Sequence, residues 1–133
     1  MKKDYKKWMP IKAKINNAKA KSLPVIRAGQ IYWVSVGQNI GYEEDGKSDL
    51  FTRPALVIKV FGQGGLFLSV PLSTTDKTGL FYYTLHLRGE ISTVLLTQIH
   101  SYDVARIADA RPIGRISGQD LARIRERIKY LVG

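Results

Sequence analysis

The chain has 133 residues, a formal net charge of +10, two histidines and no cysteine. That length suits one domain, with 44% hydrophobic residues to fill a core; without cysteine there are no disulfides or thiolate metal sites, and His86 and His100 alone make a structural zinc site a poor fit. No apolar run reaches membrane-span length and no apolar segment follows the charged N-terminus, so a cytoplasmic protein without membrane contact, cofactor or metal is expected.

The charge is uneven. Residues 1–27 hold nine Lys/Arg against Asp4, a net +8, which leaves +2 for the rest. This basic arm fits a polyanion, an acidic protein partner or a solubilising tail. Trp8, Ile11 and Ile15 recur at helical spacing, with Pro10 expected in a first turn. A short helix docked through Trp8 is one reading; a disordered arm is the other. We therefore divide the chain into a basic extension, residues 1–27, and a domain, residues 28–133.

The domain opens with a strand over Gln30–Val36. A polar loop from Gly37 to Leu50 follows, long enough to be functional or disordered. Phe51–Phe61 reads as a buried strand rich in β-branched residues, with Pro54 expected at its first position because it lacks an N–H. Gly62–Gly65 turns the chain, and Leu66–Val70 returns as an antiparallel partner, ending in the hydroxyl run Ser73, Thr74 and Thr75. Further strands are expected over Leu80–Leu87, Ser92–Ile99 and Ile113–Ile116. Leu121, Ile124, Ile128 and Leu131 mark one apolar stripe of a final helix, with Ser117 as N-cap and Asp120 at the capping-box position. Short strands bounded by turns, then a helix, give a mainly β fold with α: a small, closed or nearly closed antiparallel barrel.

Antiparallel pairing sets the start of one strand beside the end of the next. Arg53 and the hydroxyls of Ser73, Thr74 and Thr75 are thus expected on one rim, bordered by the long loop. A guanidinium fork beside hydroxyl donors is suited to a phosphate. The plainer reading is a solvated strand-edge arginine and hydroxyls that satisfy local backbone.

Several motifs, in order, resemble the MazF/PemK family of toxin endoribonucleases. They are Gly29-Gln-Ile-Tyr-Trp-Val, Gly41-Tyr-Glu-Glu-Asp-Gly-Lys (with Glu44 where Gln is usual), Arg53-Pro-Ala-Leu-Val-Ile, Val70-Pro-Leu-Ser-Thr, and Ser92 to Arg106. The likeness runs from about residue 29 to the end, outside the basic arm. It implies an SH3-like barrel, a homodimer, an antitoxin partner and metal-independent cleavage of single-stranded RNA, typically mRNA, by 2′-OH attack on phosphate. It makes Arg53 the principal catalytic residue and Ser73, then Thr74, its hydroxyl partner, with Glu43, Gln98 and Thr75 toward substrate. Arginine stays protonated, so Arg53 is suited to charge stabilisation rather than to the base role; Asp103, His100 or a group of the substrate is left for that. His100 stands where many family members carry arginine, and Asp103 is equally read as an ion-pair partner of Arg106. Glu43 and Gln98 fit loop scaffolding as well as substrate contact. The competing function is a non-catalytic toxin, such as a gyrase-directed one, or a barrel that only binds nucleic acid or protein.

Overall fold

A computed structural model describes residues 3–17, 23–47 and 51–133. Lys2, Lys19 and Lys21 of the basic arm, and the end of the long loop, lie outside the described residues. Helix α1 (Tyr5–Asn17) comes first. Strands β1 (Gln30–Ser35), β2 (Thr52–Phe61), β3 (Leu66–Ser73), β4 (Tyr82–Leu87), β5 (Glu90–Leu95), β6 (His100–Asp103) and β7 (Gly114–Arg115) follow, then helix α2 (Gly118–Val132). Two 3₁₀ turns, Leu96–Gln98 and Val104–Arg106, flank β6.

The sheet is antiparallel, in the order β4-β5-β3-β2-β1-β7, with β6 also on β3. It curls into a half-barrel, the form in which the expected small barrel is present. Period-2 alternation splits the core in two. Ile31, Leu56, Val70 and Val94 face α2, where Ile124 is fully buried and Leu121, Ile128 and Leu131 pack beside it. Tyr32, Val34, Val57, Phe67 and Val104 fill the other face. A bulge between Val57 and Lys59 bends β2, and Arg125 of α2 donates to the Ile58 carbonyl at 2.6 Å.

Three local expectations are corrected. The strand expected over Ser92–Ile99 stops at Leu95, because one edge of β3 is shared: β5 takes Leu72 and Ser73, β6 takes Leu66 to Ser69, and the turn at Leu96–Gln98 carries the chain between them. Pro54 is the third residue of β2, not the first. The Phe51 carbonyl accepts from Val36 N–H, which makes the alternate positions Val34↔Arg53 and Tyr32↔Ala55 the bonded pairs. Pro54, opposite Trp33, falls between them and before the β2–β3 ladder starts at Ala55, so its missing N–H breaks no rung. Pro10 lies inside α1, not in its first turn. An interior proline costs about 3 kcal/mol, and the offset comes from docking: Trp8 is 4% exposed and edge-on to Phe51.

Helix α2 begins as its sequence requires. Ser117 Oγ accepts from Asp120 N–H at 3.0 Å and donates to its carboxylate at 3.1 Å. That carboxylate also accepts from the Tyr83 hydroxyl, at 2.7 Å, and ties the helix to β4.

Candidate active site

The register of β2 and β3, Ala55↔Pro71, extended by two residues sets Arg53 beside Ser73. Both line an open groove of about 710 Å³ together with Thr74, Trp33 and Ser92. The arginine and the hydroxyls thus share a rim, as the hairpin requires. Arg53 is 8% exposed. A buried guanidinium must find acceptors, and three are present: Nε donates to Asp45 O at 3.1 Å, Nη1 to Leu72 O at 3.3 Å, and Nη2 lies 2.9 Å from Glu44 Oε2. Five N–H groups less three leaves one on each terminal nitrogen, a two-pronged donor that suits phosphate. The solvated-arginine reading is therefore corrected.

Ser73 Oγ accepts from Thr75 N–H at 3.2 Å, which leaves its own O–H to donate into the groove. Thr75 is exposed, and its carbonyl accepts from Thr93 Oγ1 at 2.9 Å, so it serves the turn that holds Ser73.

The loop from Gly37 to Lys47 is knit by its own bonds. Asn39 Nδ2 donates to Val36 O and Glu44 O at 3.2 and 2.7 Å, Asn39 N–H to Asp45 Oδ1 at 2.6 Å, and Gly46 N–H to Gly37 O at 2.7 Å. A Cβ at Gly46 would lie 1.5 Å from the Phe51 carbonyl, so only glycine fits. Glu43 accepts from Ile40 N–H at 2.8 Å, and Gln98 sits under the loop, 3.4 Å from Glu44 N and 3.5 Å from Tyr42 O. Both scaffold the loop that delivers Glu44 and Asp45 to Arg53.

His100 and Asp103 are elsewhere. His100 pairs with Ser69, four residues along β3 from Ser73, about 13 Å at the usual rise. Its Nδ1 lies 2.7 Å from Ser101 O, and its ring stacks on Tyr102 at 4.3 Å. Asp103 accepts from Ala105 N–H at 2.8 Å and caps the second 3₁₀ turn. In place of the expected ion pair with Asp103, Arg106 donates to Ser35 O at 3.1 Å and lies over Tyr102 and Trp8. His100, Tyr102, Arg106, Glu43, Glu44 and Gln98 line a second groove of about 480 Å³, which Trp8 and Lys12 of α1 also enter. Burial raises the Tyr102 pKa, against the lowering effect of Arg106 and with a smaller raising contribution from Glu43. Among the described residues no three His, Asp or Glu side chains converge to hold a metal ion.

Sequence reasoning passed over Glu44 as a partner of Arg53, and over Lys12 and Tyr102; it named Trp8 only as a docking residue and Arg106 only as an ion-pair partner of Asp103. The charge of Glu44 at a position where glutamine is usual was the available signal. The other four meet only through tertiary packing.

Residues 27–132 match the family model described as PemK-like, MazF-like toxin of type II toxin–antitoxin systems. The chain belongs to this family. No curated protein sequence matches it significantly. Among solved structures it is similar to MazF from Deinococcus radiodurans, at 25% identity and a TM-score of 0.66 over 82% of this chain and 97% of that one. It is also similar to a MazE–MazF structure from the same organism, at 24% identity and a TM-score of 0.60, covering 82% and 96%. A mycobacterial endoribonuclease in complex with its cognate antitoxin aligns at 17% identity and a TM-score of 0.57, over 81% and 95%. The last two speak for the fold alone. Helix α1 precedes the segment that matches the family model, so the Trp8 and Lys12 wall of the second groove is an addition to the family domain.

Proposed function

We propose that this toxin is a metal-independent endoribonuclease that cuts single-stranded RNA, mRNA above all, at a scissile phosphate seated on Arg53 and Ser73. The observation that carries the reading is Arg53 itself: buried, fixed by three acceptors, with an N–H on each terminal nitrogen left for the groove that holds Ser73 and Thr74. In this reaction the 2′-oxygen forms a bond to phosphorus and the bond from phosphorus to the 5′-oxygen breaks, leaving a 2′,3′-cyclic phosphate and a 5′-hydroxyl. Extra negative charge develops on the non-bridging oxygens, and Arg53 and the Ser73 hydroxyl are donors set in advance for it. Thr74 supplies a further hydroxyl on the same rim.

The base role goes to the substrate, because His100 and Asp103 stand away from Arg53. The 2′-OH proton passes to a non-bridging phosphate oxygen and on to the departing 5′-oxygen, so protons balance. Glu43 and Gln98 act by holding the loop, and Thr75 by holding Ser73.

Membership of a family described as toxins of type II toxin–antitoxin systems supports an antitoxin partner for this chain, and the family pattern supports a homodimer acting in the cytoplasm; no helix among the described residues is long and apolar enough to cross a membrane. The division into an extension, residues 1–27, and a toxin domain, residues 28–133, belongs to the same proposal. Cleavage of a long single-stranded RNA in EDTA by wild type and Arg53→Ala tests the reading. RNA left intact by the folded wild type would replace it with a binding toxin.

A further inference from the structure

Trp8, Arg106, Tyr102 and His100 form one continuous column. Arg106 lies 5.9 Å from the Trp8 ring and 5.1 Å from the Tyr102 ring, and Tyr102 stacks on His100 at 4.3 Å with 15° between planes. The column is braced from behind: Trp8 is buried against Phe51, and Arg106 is bonded to Ser35 O. His100 ends it, exposed, in the groove that Lys12 enters from α1. Glu44 lines that groove and also pairs with Arg53, so one side chain links the groove to the phosphate site.

We propose that this column is a subsite for one unpaired nucleotide of the RNA, outside the scissile step: its base stacks on His100 and its phosphate meets Lys12. The inference rests on the ribonuclease reading for the identity of the strand, and it gives the helical extension a part in substrate binding. An imidazole held flat on a phenol, itself backed by a guanidinium, is a rigid π-surface that loses little freedom when a base covers it. The groove also holds the carboxylates of Glu43 and Glu44. With Lys12 and Arg106 also in the lining, the groove has no excess of positive charge to draw a run of acidic residues, whereas a neutral base over His100 with a single phosphate near Lys12 fits it. Single-stranded RNA is therefore the occupant.

The test is binding of a single-stranded 2′-O-methyl RNA, which lacks the attacking hydroxyl and stays intact, followed by fluorescence anisotropy with the full chain. His100→Ala is expected to weaken binding about tenfold, the effect of losing one stacked base. His100→Phe, which keeps a flat ring and cannot titrate, restores it. Lys12→Ala lowers the salt dependence by about one phosphate contact. Equal binding by His100→Ala and wild type overturns the subsite, as does His100→Phe binding no better than His100→Ala. Loss of an acidic peptide but not of RNA in His100→Ala would hand the column to a protein partner. Because the RNA is never cut, these results stand apart from the cleavage assay. A chain that binds through His100 but does not cut keeps the subsite and loses only the ribonuclease reading.

Discussion

Arg53 shows how burial decides what a side chain can do. An exposed arginine trades partners with water; this one is held by two carbonyls and a carboxylate, with one N–H on each terminal nitrogen left for a ligand. Glu44 is the partner that tunes it. Its carboxylate lies 2.9 Å from the guanidinium and would face the incoming phosphate. Glu44→Gln keeps a hydrogen-bond acceptor for Arg53 and removes that repulsion, worth about 1 kcal/mol across a solvated groove. The expected outcome is a KM for RNA lowered about fivefold with kcat little changed, read from steady-state cleavage of a labelled oligonucleotide. A raised KM would mean that the charge of Glu44 is needed to hold Arg53. The juxtaposition of Arg53 with Ser73 was legible in the sequence, since it needs only a hairpin and a register. The partner was not, because a loop this long can return anywhere, and it is Asn39, Gly46 and Asp45 together that bring Glu44 back.

Helix α1 and the long loop behave as one unit at the scale of elements. Asp4 N–H donates to Gln38 Oε1 at 2.9 Å, Tyr5 Oη to Asn39 O at 2.9 Å, and Lys3 pairs with Asp45. A Cβ on Gly37, at φ +82°, would lie 2.3 Å from the Trp8 indole, so helix and loop meet at a position that only glycine can fill. Phe51 closes the loop with φ of +52°, an uncommon conformation for a bulky residue, and its buried ring against Trp8 helps to hold it there. Trp8→Ala is expected to cost about 3 kcal/mol locally. Hydrogen exchange would then show α1 and residues 37–47 losing protection while the amides of β2 and β3 keep theirs. Loss of protection in both would instead make α1 part of the barrel's own stability. Trp8 as the docking residue was legible from its place among lysines. Its landing site was not, because no local pattern in residues 1–17 encodes a surface made by Gly37, Phe51 and Arg106. The 3₁₀ turn at Leu96–Gln98 was hidden for a related reason: Leu96 is buried like a strand residue, and only the shared edge of β3 requires the chain to turn there.

The whole molecule is a curled sheet with phenols buried or half-buried at several of its seams. Burial raises the pKa of Tyr32, Tyr83 and Tyr102 above 10.0, with the Asp120 hydrogen bond adding to the effect at Tyr83. Below pH 10 each is neutral whether folded or unfolded. Above it the unfolded chain gives up protons that the native state keeps, so stability is present below pH 10 and lost as pH rises through the folded values. The denaturation midpoint should therefore fall from about pH 10 upward, and Tyr102→Phe should make that fall shallower. An unchanged slope would mean that Tyr102 ionises freely in the native state. The strands and α2 that set these seams were legible from alternation and the i, i+3, i+7 stripe, because both patterns are direct images of burial.

The central claim is that a buried, pre-oriented Arg53 makes this family member an RNA-cutting toxin. Its most direct test is the end chemistry of a long single-stranded RNA incubated in EDTA with wild type and with Arg53→Ala. We predict specific cuts bearing 2′,3′-cyclic phosphate and 5′-hydroxyl ends, reduced at least a hundredfold by the substitution. Equal products from both proteins, or ends that carry a 5′-phosphate, would contradict it.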